Sequence, residues 1–137
     1  MNGSVQKVDY FKVMIPNKKG EAARVLNAFQ KEGVDLLAFS GFPRGKKAQL
    51  DFVPKDSQQF VQAAKKSGVK VGRKKACFVF QGADRTGAIA EILSRLAEAK
   101  VNVTALDGVA AGEGRYGAIL WVKPADVGKT AKALQGI

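Results

Sequence analysis

The sequence predicts an α+β protein made of two tandem copies of one strand–helix–strand–strand–helix–strand unit. Three observations carry this. One outline of turn, helix and strand occurs twice, as "PNKKGEAARVLNAFQKEGVDL" at 16–36 and as "GADRTGAIAEILSRLAEAKVNV" at 82–103. A shift of 67 residues aligns the copies with six identities in the 22 positions from 20 to 41: Gly20/Gly87, Ala23/Ala90, Leu26/Leu93, Val34/Val101, Ala38/Ala105 and Gly41/Gly108. The hydrophobic period then changes in the same order within each copy.

The elements follow in turn. "DYFKVMI" (9–15) and "ACFVFQ" (76–81) have the β-branched and aromatic content of strands. The helices after them carry an apolar stripe at i, i+3, i+4, i+7, namely Ala22, Val25, Leu26, Phe29 and then Ile89, Ile92, Leu93, Leu96. Second strands are expected at "VDLLAFS" and "VNVTALDG". The loops "GFPRGKK" and "VAAGEGR" turn the chain into "AQLDFV" and "YGAILWV", as hairpins do. A second helix follows Pro54 and Pro124, in "SQQFVQAAKK" and "ADVGKTAKAL", and "VKV" (69–71) is a candidate fourth strand for the first copy.

This order is that of a ferredoxin-like sandwich, with both helices on one face of an antiparallel sheet. The expected domains are 8–73 and 74–137, and the second copy reaches Ile137 before any last strand, which leaves a bare edge on its first strand. Copies of about 65 residues are marginal alone, so they are expected to pack together or to form a homodimer.

Composition excludes several functions. The absence of histidine removes the commonest general base and metal ligand. The single cysteine, Cys77, lies in a strand pattern that favours burial, and it cannot build a disulfide framework. No carboxylates are paired for acid–base work. A non-enzyme without metal or cofactor is expected. "MNGSVQKVDY" lacks a signal-peptide core and no apolar run reaches the roughly 20 residues of a membrane span, so a cytoplasmic location is expected, with no membrane partner.

The formal net charge of +11 is uneven: residues 1–75 hold 16 Lys/Arg against 6 Asp/Glu, residues 76–137 hold 7 against 6. The run "KKSGVKVGRKK" (65–75) reads either as a nucleic-acid or anion patch or as a solvated linker. "GEGRYG" (112–117) has the spacing of a phosphate-binding glycine motif, but a strand follows it where that motif needs a helix, so its glycines read as hairpin residues. "RYGAILWV" approaches the signature of an RNA-recognition third strand, with Arg115 at the glycine position and Ala118 in place of a stacking aromatic. Burial of Ile119 and Trp121 beneath the helices is the competing explanation.

The loops before the first helices are more informative. Asn17 and Asp84 each precede the shared glycine by three residues and are good N-cap types. The glycine-marked helix start also presents amides and a positive dipole to a carboxylate. Asp35 and Asn102 stand fifteen residues after the glycines, where the second strands begin.

These residues resemble the ACT-domain family of amino-acid-sensing regulatory modules. Its pattern is an N/D-x-P-G loop, a helix of LxxVLxxLxxxG type and [VI]-N-[IV] opening the second strand, and this sequence carries it twice, over about 9–134. The resemblance implies an effector, an amino acid, bound between paired modules through Asn17, Gly20, Asp35, Asp84, Thr86, Gly87 and Asn102. It also implies a homodimer and a regulated enzyme as partner. Lys19 or Thr86 replaces the family proline, while Asp35 and Asp84 replace asparagines with acceptor-only carboxylates that favour an ammonium group. The alternatives are a basic ferredoxin-like RNA- or DNA-binding protein using 65–75, and an assembly module without ligand.

Overall fold

The computed structural model describes residues 3–137, which contain six strands and four α-helices. The chain divides into two compact units. One is continuous, Asp9–Lys75. The other is split, joining residues 3–8 to Ala76–Ile137. The first unit is thus an insertion in the second, and strand β1 (Ser4–Pro16) runs through both.

In the inserted unit, β1 is followed by α1 (Glu21–Lys31), β2 (Leu36–Arg44), β3 (Lys47–Pro54) and α2 (Ser57–Ser67). The strand order is β2-β3-β1, with antiparallel pairs that set Phe11 opposite Phe52 and Phe39 opposite Phe52. Residues 69–71 are not a strand. They still flank β1, because the Gly72 amide donates to the Lys12 carbonyl at 2.8 Å and Val69 and Val71 pack on the core. That core is aromatic: the Phe60 ring lies 5.0 Å from Phe11, 4.5 Å from Phe29 and 5.3 Å from Phe52. Val25 and Phe29 of α1 and Phe60, Ala63 and Ala64 of α2 supply its helical side. Helix α2 starts where Asp56 accepts from the Gln59 amide, and the Ser57 hydroxyl donates to Asp9 at 2.8 Å.

The opposite face of β3 buries polar groups. Asp51 is 5% exposed and Gln49 9%. Gln49 Nε2 donates to Asp51 Oδ1 at 3.0 Å, and Arg44 donates to Gln49 Oε1 at 2.8 Å. Burial raises the Asp51 pKa, against the lowering effect of the Gln49 hydrogen bond and of the Lys12, Lys75 and Arg44 charges.

In the split unit, β4 (Lys75–Ala83), α3 (Ala88–Glu98), β5 (Val103–Gly112), β6 (Arg115–Val122), a 3-10 turn (Pro124–Asp126) and α4 (Val127–Ala133) complete the order β1-β4-β6-β5. The edge of β4 expected to be bare is therefore occupied by β1, whose Val5 packs on this unit's core. The core joins Phe78 and Phe80 to Ala118, Leu120 and Val122 beneath Ile92 and Leu96 of α3. This corrects the expected parity of β6. The register Phe78↔Leu120 and Phe80↔Ala118 puts the even residues under the helices, and Ile119 and Trp121 on the other face. Trp121 is 7% exposed and, in the same unit, Cys77 is 0% exposed. That face offers no open aromatic platform for a base.

Two outcomes test this packing. Phe60→Ala removes the ring shared by three others and should cost about 3–5 kcal/mol in urea unfolding; a loss below about 1 kcal/mol would contradict the core. Asp51 has a folded pKa above its unfolded one, so the stability it contributes is complete at low pH and is lost as pH rises through the folded value. Asp51→Asn should therefore melt higher than wild type at pH 7, with the gap closing as pH falls toward 3.8. An unchanged or wider gap in acid would refute the buried carboxylate.

Candidate functional site

The two loop–helix junctions adopt one geometry. Gly20 and Gly87 are the residues before α1 and α3, both at φ 84°, a left-handed conformation that L side chains rarely adopt. The Glu21 amide reaches the Lys18 carbonyl at 3.3 Å, as Ala88 reaches Arg85 at 3.3 Å. The Asn17 amide donates to Lys46 at 3.0 Å, and the Asp84 amide to Gly114 at 2.8 Å, tying each loop to the hairpin turn of its own unit.

Asn17 and Asp84 do not cap. Neither helix receives a side-chain cap hydrogen bond, because glycine fills the cap position and the polar residue stands three places earlier. The Ile89 and Ala90 amides of α3 consequently have no acceptor among the described residues. Such free N–H groups favour an anion.

A cleft of about 440 Å³ opens at this start of α3. Asp84, Arg85 and Gly87 line it from the loop, Ala88, Ile89 and Ala90 from the helix, Gly108, Val109 and Ala110 from β5, and Tyr116 from β6. Its floor is apolar and its rim is charged. Gly108 keeps the floor open, since a Cβ there would meet Ile89 Cδ1 at 3.2 Å. Arg85 forms an ion pair with Glu91. The Tyr116 hydroxyl titrates above its usual range, chiefly through burial, with Arg85 opposing and Glu91 reinforcing.

Of the residues singled out in sequence, the structure brings Asp84 and Gly87 together in this cleft. Thr86 lies between them, exposed and outside the lining, and Asn102 is exposed immediately before β5. At about 3.3 Å per residue, the six residues from Asn102 to Gly108 span roughly 20 Å of strand. In the inserted unit, Asn17 and Gly20 form the matching loop, and Asp35 is engaged elsewhere. Its carboxylate meets Lys55 Nζ at 2.9 Å and accepts from the Leu36 amide at 3.0 Å. The Lys55 hydrogen bond and charge, with the Leu36 amide, hold the Asp35 pKa below its usual value. Arg85, Ile89, Val109 and Tyr116 were not read as site residues. Gly108 had a signal, as one of the six repeat identities.

No protein-family model matches this sequence, and no curated protein does either. Solved structures do. A Bacteroides thetaiotaomicron protein is 18% identical with a TM-score of 0.80, over 96% of this chain and 88% of its own. The ligand-free regulatory subunit of aspartate kinase from Thermus thermophilus is 17% identical with a TM-score of 0.63, over 98% of both chains. That from Thermus flavus is 18% identical with a TM-score of 0.62, over 97% of this chain and 94% of its own. The chain therefore shares the fold of these aspartate kinase regulatory subunits, in agreement with an ACT-like architecture. No helix among the described residues is long and apolar enough to cross a membrane.

The junction geometry yields a stability test. Gly87→Ala meets no atom within 4 Å, so any cost comes from the left-handed backbone, about 1–2 kcal/mol in chemical denaturation. A neutral or stabilising Gly87→Ala would show that the loop does not hold this conformation in solution.

Proposed function

We propose that the chain is a non-catalytic regulatory protein that senses an amino acid in the cleft at the start of α3. The observation that carries this reading is the pairing, in one apolar-floored cleft, of a carboxylate, Asp84, with unpartnered helix amides at Ile89 and Ala90. An α-amino acid carries both complementary charges on one carbon. Its carboxylate would take the helix amides and dipole, and its ammonium the Asp84 carboxylate. The floor of Ile89, Gly108 and Ala110 suits a small aliphatic side chain. The volume falls in the range of small-molecule sites, roughly 300–1,000 Å³.

The fold shared with regulatory subunits of aspartate kinase supports a regulatory role, and this reading takes an enzyme as the regulated partner and a homodimer as the working assembly. Regulation would follow from linkage: an effector shifts an equilibrium only by its differential affinity for two arrangements.

A thermal-shift screen against the common amino acids tests the proposal. At 100 times its dissociation constant, an effector should stabilise the protein by about 2.7 kcal/mol. Asp84→Asn should abolish that shift and Asp35→Asn should leave it. A folded wild-type protein that responds to no amino acid, or a response unaffected by Asp84→Asn, would defeat this assignment.

A further inference from the structure

A second cleft lies in the inserted unit and has a different chemistry. It is about 500 Å³ and runs between α1 and the C-terminal end of α2. Arg24, Asn27, Ala28 and Lys31 form one wall, at i, i+3, i+4 and i+7 on α1, turned away from the buried Val25 and Phe29. Lys66 and Ser67 form the other wall. The one carboxylate in the lining, Glu32, is held by Lys66 at 3.3 Å, and Glu21 outside it holds Arg24 at 3.2 Å. Lys31 has no carboxylate partner among the described residues. Beyond Ser67 the basic character continues through the exposed Lys70, Arg73 and Lys74, which likewise have none. The Gly72–Lys12 hydrogen bond fixes this stretch beside β1.

We propose that this groove and the basic segment continuing from it bind the phosphate backbone of a nucleic acid, without reading its sequence. Helix dipoles account for Lys31 and Lys66 at the ends of α1 and α2. The Glu21 ion pair accounts for Arg24, but neither accounts for the exposed cations Lys70, Arg73 and Lys74 past α2. The inserted unit holds 15 Lys/Arg against 6 Asp/Glu, a net +9, so the groove sits in a field that concentrates polyanions. Its lining has no aromatic and no aliphatic side chain larger than Ala28. A protein partner would find no apolar anchor there, and a base no ring to stack on. Phosphate oxygens need only the charges and donors that are present.

Fluorescence anisotropy with a labelled mixed-sequence DNA duplex of about 20 base pairs tests this, with duplex RNA and single-stranded DNA as parallel arms. Five phosphate contacts predict an affinity loss of about 500-fold between 50 and 200 mM salt. The exposed double variant Lys31→Glu/Lys70→Glu should bind at least tenfold more weakly and lower the salt slope by about 2. The charge-matched Lys123→Glu/Lys132→Glu, in the split unit, should lose less than threefold. Thermal melts verify folding, and the single variant Arg73→Gln, losing affinity in the same direction, replaces the double if that fails to fold. Equal losses in both double variants would reduce the effect to net charge and overturn the proposal. So would the absence of binding at 50 mM salt in every arm, or competition by polyglutamate as strong as by unlabelled duplex. None of these readouts involves the α3 cleft, so either assignment can fail without the other.

Discussion

The architecture depends on one strand serving two cores. A helix-covered antiparallel sheet of this order needs a strand on each side of its first one, and the split unit draws its outer strand from the start of the chain. β1 places Val5 against the core of Phe78, Phe80 and Leu120, and Phe11, Val13 and Ile15 in the core of the inserted unit. Each unit is small enough that burial barely exceeds conformational entropy. Losing part of β1 would therefore remove both apolar contact and backbone partners from the unit concerned. The insertion follows because β1 continues from the split unit into the inserted one, which is completed before the split unit resumes at β4.

Within that frame, the repeat conserves backbone geometry and varies chemistry. Both helices start from a left-handed glycine, with the same 3.3 Å contact just inside the start and the same tie to a hairpin turn. What surrounds the starts differs. The loop of α3 carries Asp84, Arg85 and Thr86, with Tyr116 and Val109 nearby. The loop of α1 carries Lys18 and Lys19, and Lys46 is held to it through Asn17. An open helix start beside a carboxylate can address both ends of a zwitterion, whereas one surrounded by lysines addresses only an anion. One backbone device thus serves two electrostatic settings.

The sequence made the helices legible because a 3.6-residue stripe is local: Val25, Phe29, Ile92 and Leu96 are buried as the periodicity requires, while Leu93 of the same expected stripe is 39% exposed. The strands were legible as segments and not as faces. Ile119 and Trp121 alternate as a buried pair would, yet the register with Phe78 and Phe80 assigns the helix side to Ala118 and Leu120. Register is a long-range property. The opening residues of β1 were missed for a related reason: "SVQK" has too little apolar alternation to read as a strand, and its pairing with β4 joins residues about 70 apart. The strands of both hairpins also extend further than their glycines suggested, leaving turns only at 45–46 and 113–114.

The candidate cleft was legible where the repeat marks the loop before α3, at Asp84 and Gly87, and illegible where three elements converge. Tyr116, Val109 and Ile89 come from β6, β5 and α3, and no local pattern joins them. Charge separates the units in the same way. The inserted unit carries +9, while the split unit has 8 Lys/Arg against 6 Asp/Glu, a net +2. A zwitterion has no net charge to be steered by a distant field, so its site needs local complementarity from Asp84 and the α3 amides. A polyanion responds to the summed field over a Debye length of about 8 Å at physiological salt. Its site can consist of exposed lysines that share no fixed geometry. The two proposed ligands therefore call for the two kinds of surface that the repeat has produced, a shaped cleft in the nearly neutral unit and an open basic groove in the charged one.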